Sequence, residues 1–227
     1  MVRRDAVRLV VFDCDGTLVD SQGHIVAAMN QAFQARGLAQ PDPAAVRRLI
    51  GLPLVAMIAD LMPQLAAGDW EALANCYREA FFALRQRPDH VEPLYPGARE
   101  ALDRLDEAGF LLGIATGKAR RGLDAVLASH RLGNRFVTLQ TADLAPGKPS
   151  PVMLQQAMTA AGAERARTVV VGDTTYDMEM ARNAGVAGIG VAWGYHPMAA
   201  LATAGAARII DRFDDLAAAA DGLTGGT

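Results

Sequence analysis

Two acidic residues directly after a short apolar run are the first part of this sequence that could do chemistry. Asp13 and Asp15 follow the apolar residues 9–12, and residues two apart on an extended strand share a face. Two adjacent carboxylates repel each other unless a cation joins them or one of them holds a proton. The alternative is an ordinary Asp-Gly turn, but that would not explain acids directly after a buried strand. The pattern predicts a metal or acid–base site.

A second acidic pair repeats this placement. Asp173 comes after the β-branched residues 168–171 and Gly172, and Asp177 lies four residues further on, in the first turn of a predicted helix. Asp177 alone has an equally good explanation, because an acid in the first turn complements the helix dipole and the exposed backbone N–H groups. Asp173 has no such explanation and is predicted to belong to the site.

Two further segments have the residue types of an anion site. Thr116-Gly117-Lys118 follows a predicted strand and precedes a helix, so a hydroxyl and backbone N–H groups lie where an anion binds well. An ordinary helix N-cap would give the same pattern, and both can hold at once. Lys148 lies in a proline-rich loop, residues 146–149, which restricts its backbone. A surface lysine is usually solvated, and that is the alternative for Lys148.

Short β-branched runs alternate with helical patterns, which predicts a doubly wound α/β fold with a mostly parallel sheet. Residues 20–88 have only helical periodicity, with helix starts at Asp42-Pro43 and at Asp69. We therefore expect a core made of residues 1–19 and 89–227, and an inserted all-helical unit, residues 20–88. The predicted strands are residues 9–12, 110–115, 136–139, 168–171, 189–192 and 208–210.

Composition limits the classes of protein and of partner. The chain has 227 residues, of which 51% are hydrophobic and 21% charged, so it is not a disordered chain. A net charge of −3 gives no electrostatic case for nucleic acid or for an anionic membrane as the main partner. Cys14 and Cys76 are too few for a disulfide framework, and no apolar run approaches the length of a membrane helix. These features predict a soluble cytoplasmic protein.

Taken together, the four segments resemble the haloacid dehalogenase superfamily of phosphotransferases. The matching features are DxDGTLVDS at residues 13–21, Thr116 after the second strand, Lys148 in GKPSP, and GDTTYD at residues 172–177. A helical insert after the first motif is similar to the helical-cap subgroup (C1, subfamily IA), which includes phosphoglycolate phosphatases. The resemblance implies a core of Rossmann-like topology with a helical cap.

The resemblance also implies a covalent mechanism. Asp13 would be the nucleophile that forms an aspartyl-phosphate, and Asp15 would be the general acid and then the general base. Mg²⁺ would be held by Asp13, the backbone carbonyl of Asp15 and Asp173. Asp177 would be an outer-sphere ligand or a partner of Lys148.

The phosphoryl group has its own predicted ligands. Thr116 and the backbone of Gly117 would bind the phosphoryl oxygens, and Lys148 would offset their charge and orient the nucleophile. An anionic nucleophile must approach an anionic phosphate, so cations are needed to cancel the repulsion.

The substrate is expected to be a small phosphorylated metabolite, and 2-phosphoglycolate is favoured. Arg47 and Arg48 resemble a cap segment near the active site, where one of them could bind a substrate carboxylate; two solvated arginines are an equally good interpretation. The alternatives are a sugar-phosphate phosphatase, a nucleotide or pyrophosphate hydrolase, a β-phosphoglucomutase-like enzyme, or a catalytically silent phosphate-binding regulatory protein. A monomer is expected, with a dimer as the alternative.

Overall fold

One parallel sheet of six strands forms the centre of the computed structural model, which describes residues 7–88 and 90–225. The strand order is β3-β2-β1-β4-β5-β6, so β1 lies between β2 and β4. Residues 9–12 of β1 are completely buried, as expected of a strand that is covered by helices on both faces. The predicted doubly wound α/β fold is confirmed. The strands are β1 (Arg8–Phe12), β2 (Phe110–Thr116), β3 (Thr138–Thr141), β4 (Thr168–Gly172), β5 (Ala187–Val191) and β6 (Arg208–Ile210).

Helices pack on the two faces of the sheet and bury alternate residues of β1. Val10 and Phe12 belong to one hydrophobic cluster, and Leu9 and Val11 belong to the other. This alternation is the two-residue period of a strand. None of the described helices is both long enough and apolar enough to cross a membrane. The helices of this part of the chain are α5 (Ala98–Glu107), α6 (Arg120–Ser129), α7 (Val152–Ala161), α8 (Thr175–Ala184), α9 (Met198–Ala204) and α10 (Leu216–Leu223).

A helical unit is inserted between β1 and α5 and has a hydrophobic core of its own. Met29, Phe33 and Ile58 are fully or almost fully buried in this core. Residues 20–88, all of them described, contain no β-strand. The boundary that we predicted at residue 89 falls on a position outside the described residues, as do residues 1–6 and 226–227. The helices of the unit, α1 to α4 in chain order, are α1 (Gln22–Ala35), α2 (Pro43–Leu49), α3 (Leu54–Leu61) and α4 (Ala67–Arg85).

Of the two helix starts predicted in this unit, one is confirmed and the other is wrong. Asp42 caps α2, because its side chain accepts a hydrogen bond of 3.0 Å from the backbone N–H of Ala44, and this prediction is confirmed. The start at Asp69 was wrong, since α4 begins at Ala67. The carbonyl of Ala66 already accepts from the backbone N–H of Asp69 at 2.9 Å, so Asp69 lies within the first turn.

One strand also begins later than predicted. Phe136 was expected to open the third strand, but its ring is buried in the main hydrophobic cluster and β3 begins at Thr138. The parallel pairing with β2 starts where Gly113 lies opposite Thr138. A buried aromatic residue just before a strand is indistinguishable from a strand residue in an apolar pattern.

Candidate active site

The residues that we predicted to form the catalytic and metal site lie at the carboxyl ends of the central strands. Asp13 follows β1, Asp173 follows β4, and Thr116 is the last residue of β2. The backbone N–H of Asp13 donates to the carbonyl of Val171 at 2.9 Å, which continues the sheet pairing and holds Asp13 beside the end of β4. In open parallel sheets this edge is where ligands bind. The structure brings all three side chains together.

Lys148 enters the same site from the loop between β3 and α7. Its Nζ lies 2.8 Å from Asp13 Oδ1 and 2.6 Å from Asp177 Oδ1, and the Lys148 side chain is fully buried. The two carboxylates outweigh the effect of burial on this amine, which alone would lower its pKa, and the pKa of Lys148 is raised. The lysine is therefore a fixed positive charge beside Asp13 and is not a solvated surface residue.

Three buried carboxylates form a cluster that could hold a metal ion. One oxygen from each of Asp13, Asp173 and Asp177 lies within 4.8 Å of the others. Asp13 Oδ2 is buried and has no hydrogen-bond partner among the described residues, although buried polar atoms normally have one. An oxygen-only set of acidic ligands suits a hard cation such as Mg²⁺.

The pKa values show how strongly these carboxylates need a counter-charge. Burial is the largest influence on Asp13 and raises its pKa to about 6, although Lys148 opposes the shift; Asp177 adds to it. Burial, together with Asp177 and Asp13, raises the pKa of Asp173 well above its usual value. A cation bound among the three would remove this repulsion.

Asp173 is held in place by its neighbours in space. Its Oδ1 accepts a hydrogen bond of 2.9 Å from the Thr17 hydroxyl, and its Oδ2 accepts one of 2.8 Å from the backbone N–H of Tyr195. Gly16 has a φ of +86°, and a Cβ there would lie 2.3 Å from Asp173 Oδ2. The turn after β1 therefore needs glycine both for its conformation and for the space that Asp173 occupies.

Asp177 has both of the roles that its position in the sequence allowed. It caps a helix, and it belongs to the acidic site. Its Oδ2 accepts from the backbone N–H of Thr174 at 3.1 Å and from the Thr174 hydroxyl at 2.7 Å, as in a capping box at the start of α8. Its Oδ1 contacts Lys148. One oxygen closes the helix end, and the other fixes the lysine.

Asp15 has a separate set of partners. Its Oδ1 accepts from the Ser21 hydroxyl and lies 2.9 Å from Lys118 Nζ. Lys118 Nζ also lies 3.1 Å from Glu92 Oε1, and the side chain of Glu92 is only 4% exposed. Cys14, between the two acids, points into the main hydrophobic cluster.

Two site residues, Lys118 and Glu92, were not assigned a role from the sequence. Lys118 lies two residues after Thr116, and its position in the anion-site segment was the signal that could have identified it. Glu92 lies in the irregular segment between α4 and α5, where no periodicity or motif marks it. Burial alone would raise the pKa of Glu92, but Lys118 and Arg85 outweigh burial and lower it. Glu92 is therefore a buried anion that holds Lys118 beside Asp15 and also contacts Arg85.

We expect Glu92→Gln to reduce kcat/KM roughly 10- to 100-fold, because a slightly misplaced catalytic group is costly. The change removes the charge that holds Lys118 against Asp15, and so the fall should be mainly in kcat. Steady-state kinetics on one phosphate ester measures it, with a thermal melt to confirm folding. Glu107→Gln, on the exposed end of α5, is the matched control. Wild-type kcat in folded Glu92→Gln would contradict this role.

The loop after α2 lies directly over the predicted phosphate ligands. Thr116 is almost fully buried, and its hydroxyl accepts a hydrogen bond of 3.2 Å from the backbone N–H of Lys118. A Cβ at Gly117 would lie 2.8 Å from the carbonyl oxygen of Gly51, so the helical unit and the core touch here. The contact closes one side of the site.

The structure does not bring Arg47 and Arg48 to this site. Both are exposed and neither lines the cavity, because α2 turns Val46 inward and the next two residues outward. The part of Arg48 that reaches the core is its backbone carbonyl, which accepts from the Tyr176 hydroxyl at 3.2 Å. Their predicted contact with a substrate carboxylate has no support in this geometry.

A cavity of about 850 Å³ opens between the helical unit and the core. Asp13, Asp15 and Thr116 line it at the core, and α4 contributes part of the opposite wall, including Phe81. A concave pocket with a few convergent polar groups is the usual form of a small-molecule site. Asp13, Thr116 and Gly117 therefore face the cavity, whereas Asp173 and Asp177 lie behind them and are fully buried.

Comparisons with known proteins agree with this arrangement. Residues 10–191 match the family described as haloacid dehalogenase-like hydrolase. The "Probable phosphatase IndB" of Dickeya dadantii is 36% identical over 95% of this chain and 94% of its own length. A phosphoglycolate phosphatase of Vibrio parahaemolyticus is 31% identical over 86% of this chain and 88% of its own length. The crystal structure of a hydrolase from Pseudomonas syringae superposes with a TM-score of 0.83 at 28% identity, over 96% of this chain and 99% of that one.

Proposed function

The chain belongs to the haloacid dehalogenase-like hydrolases, and from that membership we propose a Mg²⁺-dependent phosphatase that cleaves small phosphomonoesters through a covalent intermediate on Asp13. One observation carries the proposal. Asp13 lies at the core end of the cavity with one oxygen against Lys148 and the other without a hydrogen-bond partner in the described part of the chain. A silent phosphate-binding protein would not need a buried nucleophile beside a separate acid.

The residues present fit a resident Mg²⁺ ion. Asp13, Asp173 and the backbone carbonyl of Asp15 would hold it, and Asp177 would act from the outer sphere because its two oxygens already contact Lys148 and Thr174. When bound, the ion would supply positive charge that offsets the phosphate and the carboxylates.

The chain's own groups account for both halves of the reaction. Asp13 attacks phosphorus, the ester bond breaks, and the departing alcohol oxygen takes a proton from Asp15. Asp15 then accepts a proton from water as the water oxygen attacks the aspartyl-phosphate, which releases phosphate and restores Asp13. Ser21 and Lys118 position the carboxyl group of Asp15, which gives up a proton in the first step and takes one from water in the second.

The phosphoryl ligands would act throughout the cycle. Thr116 and the backbone N–H of Gly117 would bind the phosphoryl oxygens, and Lys148 would offset their charge while it holds Asp13. The loop around Gly51 lies against Gly117 and would limit the access of water.

For the substrate, 2-phosphoglycolate remains one candidate because several similar proteins are named phosphoglycolate phosphatase. Arg47 and Arg48, which were expected to bind the carboxylate of this substrate, lie outside the cavity. Sugar phosphates and nucleotides remain alternatives of the same reaction class. Cytoplasmic location and the monomeric state stay predictions from the sequence.

We expect Mg²⁺ to raise the melting temperature of the protein, because a ligand that binds only the folded state stabilises it by about 2.7 kcal/mol at a hundred times its Kd. Asp173→Asn should lose most of this shift. Asp211→Asn, on an exposed bend, is the matched control and should keep it.

The same metal should be required for turnover of p-nitrophenyl phosphate. We expect hydrolysis with Mg²⁺ and its loss after exhaustive chelation, with recovery when Mg²⁺ is restored. Full turnover by the chelated protein would rule out the metal dependence. No turnover of this or any other ester under any metal condition would rule out the phosphatase proposal.

A further inference from the structure

The cavity extends well beyond the place where a phosphoryl group would bind. Pockets of about 300–1,000 Å³ normally hold drug-sized ligands, and this one measures about 850 Å³. In the proposed function the phosphoryl group would occupy only the end near Asp13 and Thr116. A two-carbon acid such as glycolate would leave most of the remaining space to water, and the cavity has room for a larger leaving group.

An aromatic wall borders this extra space. Tyr77, Phe81 and Phe82 line the cavity from α4, and the ring centres of Tyr77 and Phe81 are 5.7 Å apart. Phe82 is 45% exposed, although the guanidinium of Arg121 lies 4.1 Å from its ring centre. A large aromatic side chain left this open at a cavity wall can stack with a planar group.

A single lysine connects the aromatic wall to the catalytic acid. Lys118 Nζ lies 2.9 Å from Asp15 Oδ1 and 5.1 Å from the centre of the Phe81 ring. Phe81 therefore lies on the same side of the cavity as the Asp15–Lys118 pair. A leaving group that took a proton from Asp15 would have this aromatic side chain within reach.

The buried cations of the cavity are already paired. Among the described residues, Lys118 and Arg85 both contact Glu92, at 3.1 and 3.4 Å, and Lys118 also contacts Asp15. Binding a second carboxylate from the substrate would require one of these buried pairs to break, which is costly. Next to Lys118 and Arg85, an uncharged planar group is therefore favoured over a second anion. Arg121, which also lines the cavity, lies against the Phe82 ring.

We propose that the preferred substrates are nucleoside 5′-monophosphates, with the phosphate near Asp13 and Thr116, the sugar beside Lys118 and the base against Phe81 and Phe82. A nucleoside is large enough to span the cavity and presents an uncharged planar ring. This inference rests on the proposed phosphatase function and deepens it by assigning the leaving group.

Substrates that differ only in the base give the first test. We expect kcat/KM for adenosine or uridine 5′-monophosphate to exceed that for ribose 5-phosphate roughly 5- to 150-fold, the range for stacking of one base on an aromatic side chain. 2-Phosphoglycolate should be slower than the better nucleotide. The proposal is overturned if ribose 5-phosphate or 2-phosphoglycolate equals or exceeds both nucleotides.

Variants of the wall give the second test. Phe82→Ala and Phe81→Leu should raise KM for the better nucleotide while KM for ribose 5-phosphate changes little. Val137→Ala, which truncates a 51% exposed side chain outside the cavity, is the control. Equal effects on both esters would overturn the stacking role. Phe82→Ala carries this test if Phe81→Leu does not fold, because Phe82 is half exposed.

The experiments distinguish an absence of phosphatase activity from an absence of preference for nucleotides. If no ester is hydrolysed, the phosphatase proposal fails. Calorimetry on the wild-type protein can then still compare the binding of adenosine 5′-monophosphate, uridine 5′-monophosphate and ribose 5-phosphate. Tighter binding of either nucleotide would support the assigned pocket, and equal or weaker binding of both would overturn it. If the esters are hydrolysed without preference for the base, only the specificity fails.

Discussion

Asp13→Asn should abolish the hydrolysis of every phosphate ester, with a loss of about 10⁴-fold or more, as for other catalytic nucleophiles. An amide is a poor nucleophile, so no aspartyl-phosphate can form. The substitution should not unfold the protein, because burial already raises the pKa of Asp13 and Lys148 keeps its contact with Asp177. Activity is measured on p-nitrophenyl phosphate and on an alkyl ester.

Asp211→Asn serves as the control for this result, since it makes the same chemical change on the surface. Hydrolysis of any ester by folded Asp13→Asn within tenfold of the wild-type rate would contradict the assignment of Asp13 as nucleophile.

The loss of rate in Asp15→Asn should depend on the leaving group. Release of an alkyl alcohol needs a proton, so this step should slow by about 10²–10⁴-fold, the usual value of general acid catalysis. Nitrophenolate leaves readily without a proton, so its release should suffer far less. Dephosphorylation still needs a base, and the variant should therefore show a burst of nitrophenolate followed by slow turnover.

Rapid mixing with p-nitrophenyl phosphate and with an alkyl phosphate measures both parts of this prediction. Asn keeps the backbone carbonyl of position 15 and most of the side-chain volume. The proposed metal contact is therefore the same in the wild-type protein and in the variant. If Asp15→Asn slowed release of the two leaving groups equally and showed no burst, Asp15 would have a structural or electrostatic role and not an acid–base role.

The fold and the central site could be predicted because both depend on local patterns. Apolar residues before Asp13 and before Asp173 form neighbouring parallel strands, and the carboxyl ends of such strands lie at one edge of the sheet. Thr116 ends the strand on the other side of β1 and follows the same rule. Lys148 was found from its stiff loop and from the family resemblance.

Other features of the site depend on contacts between distant segments, which local patterns do not contain. Glu92 is important only because Lys118 and Arg85 reach it from other elements. Arg47 and Arg48 were placed near the substrate by resemblance, but the orientation of α2 in the folded unit turns both outward. The aromatic wall likewise becomes part of a cavity only when α4 packs opposite the core.

The most direct test of the central claim is to identify the residue that becomes phosphorylated. Asp15→Asn is mixed with p-nitrophenyl phosphate and Mg²⁺, quenched in acid, reduced with borohydride to convert any acyl phosphate to homoserine, and mapped by peptide mass spectrometry. We predict modification at position 13, in an amount that matches the nitrophenolate burst and is absent without Mg²⁺. A nitrophenolate burst with no modification at Asp13, or with modification at another residue, would contradict the assignment of Asp13 as the nucleophile.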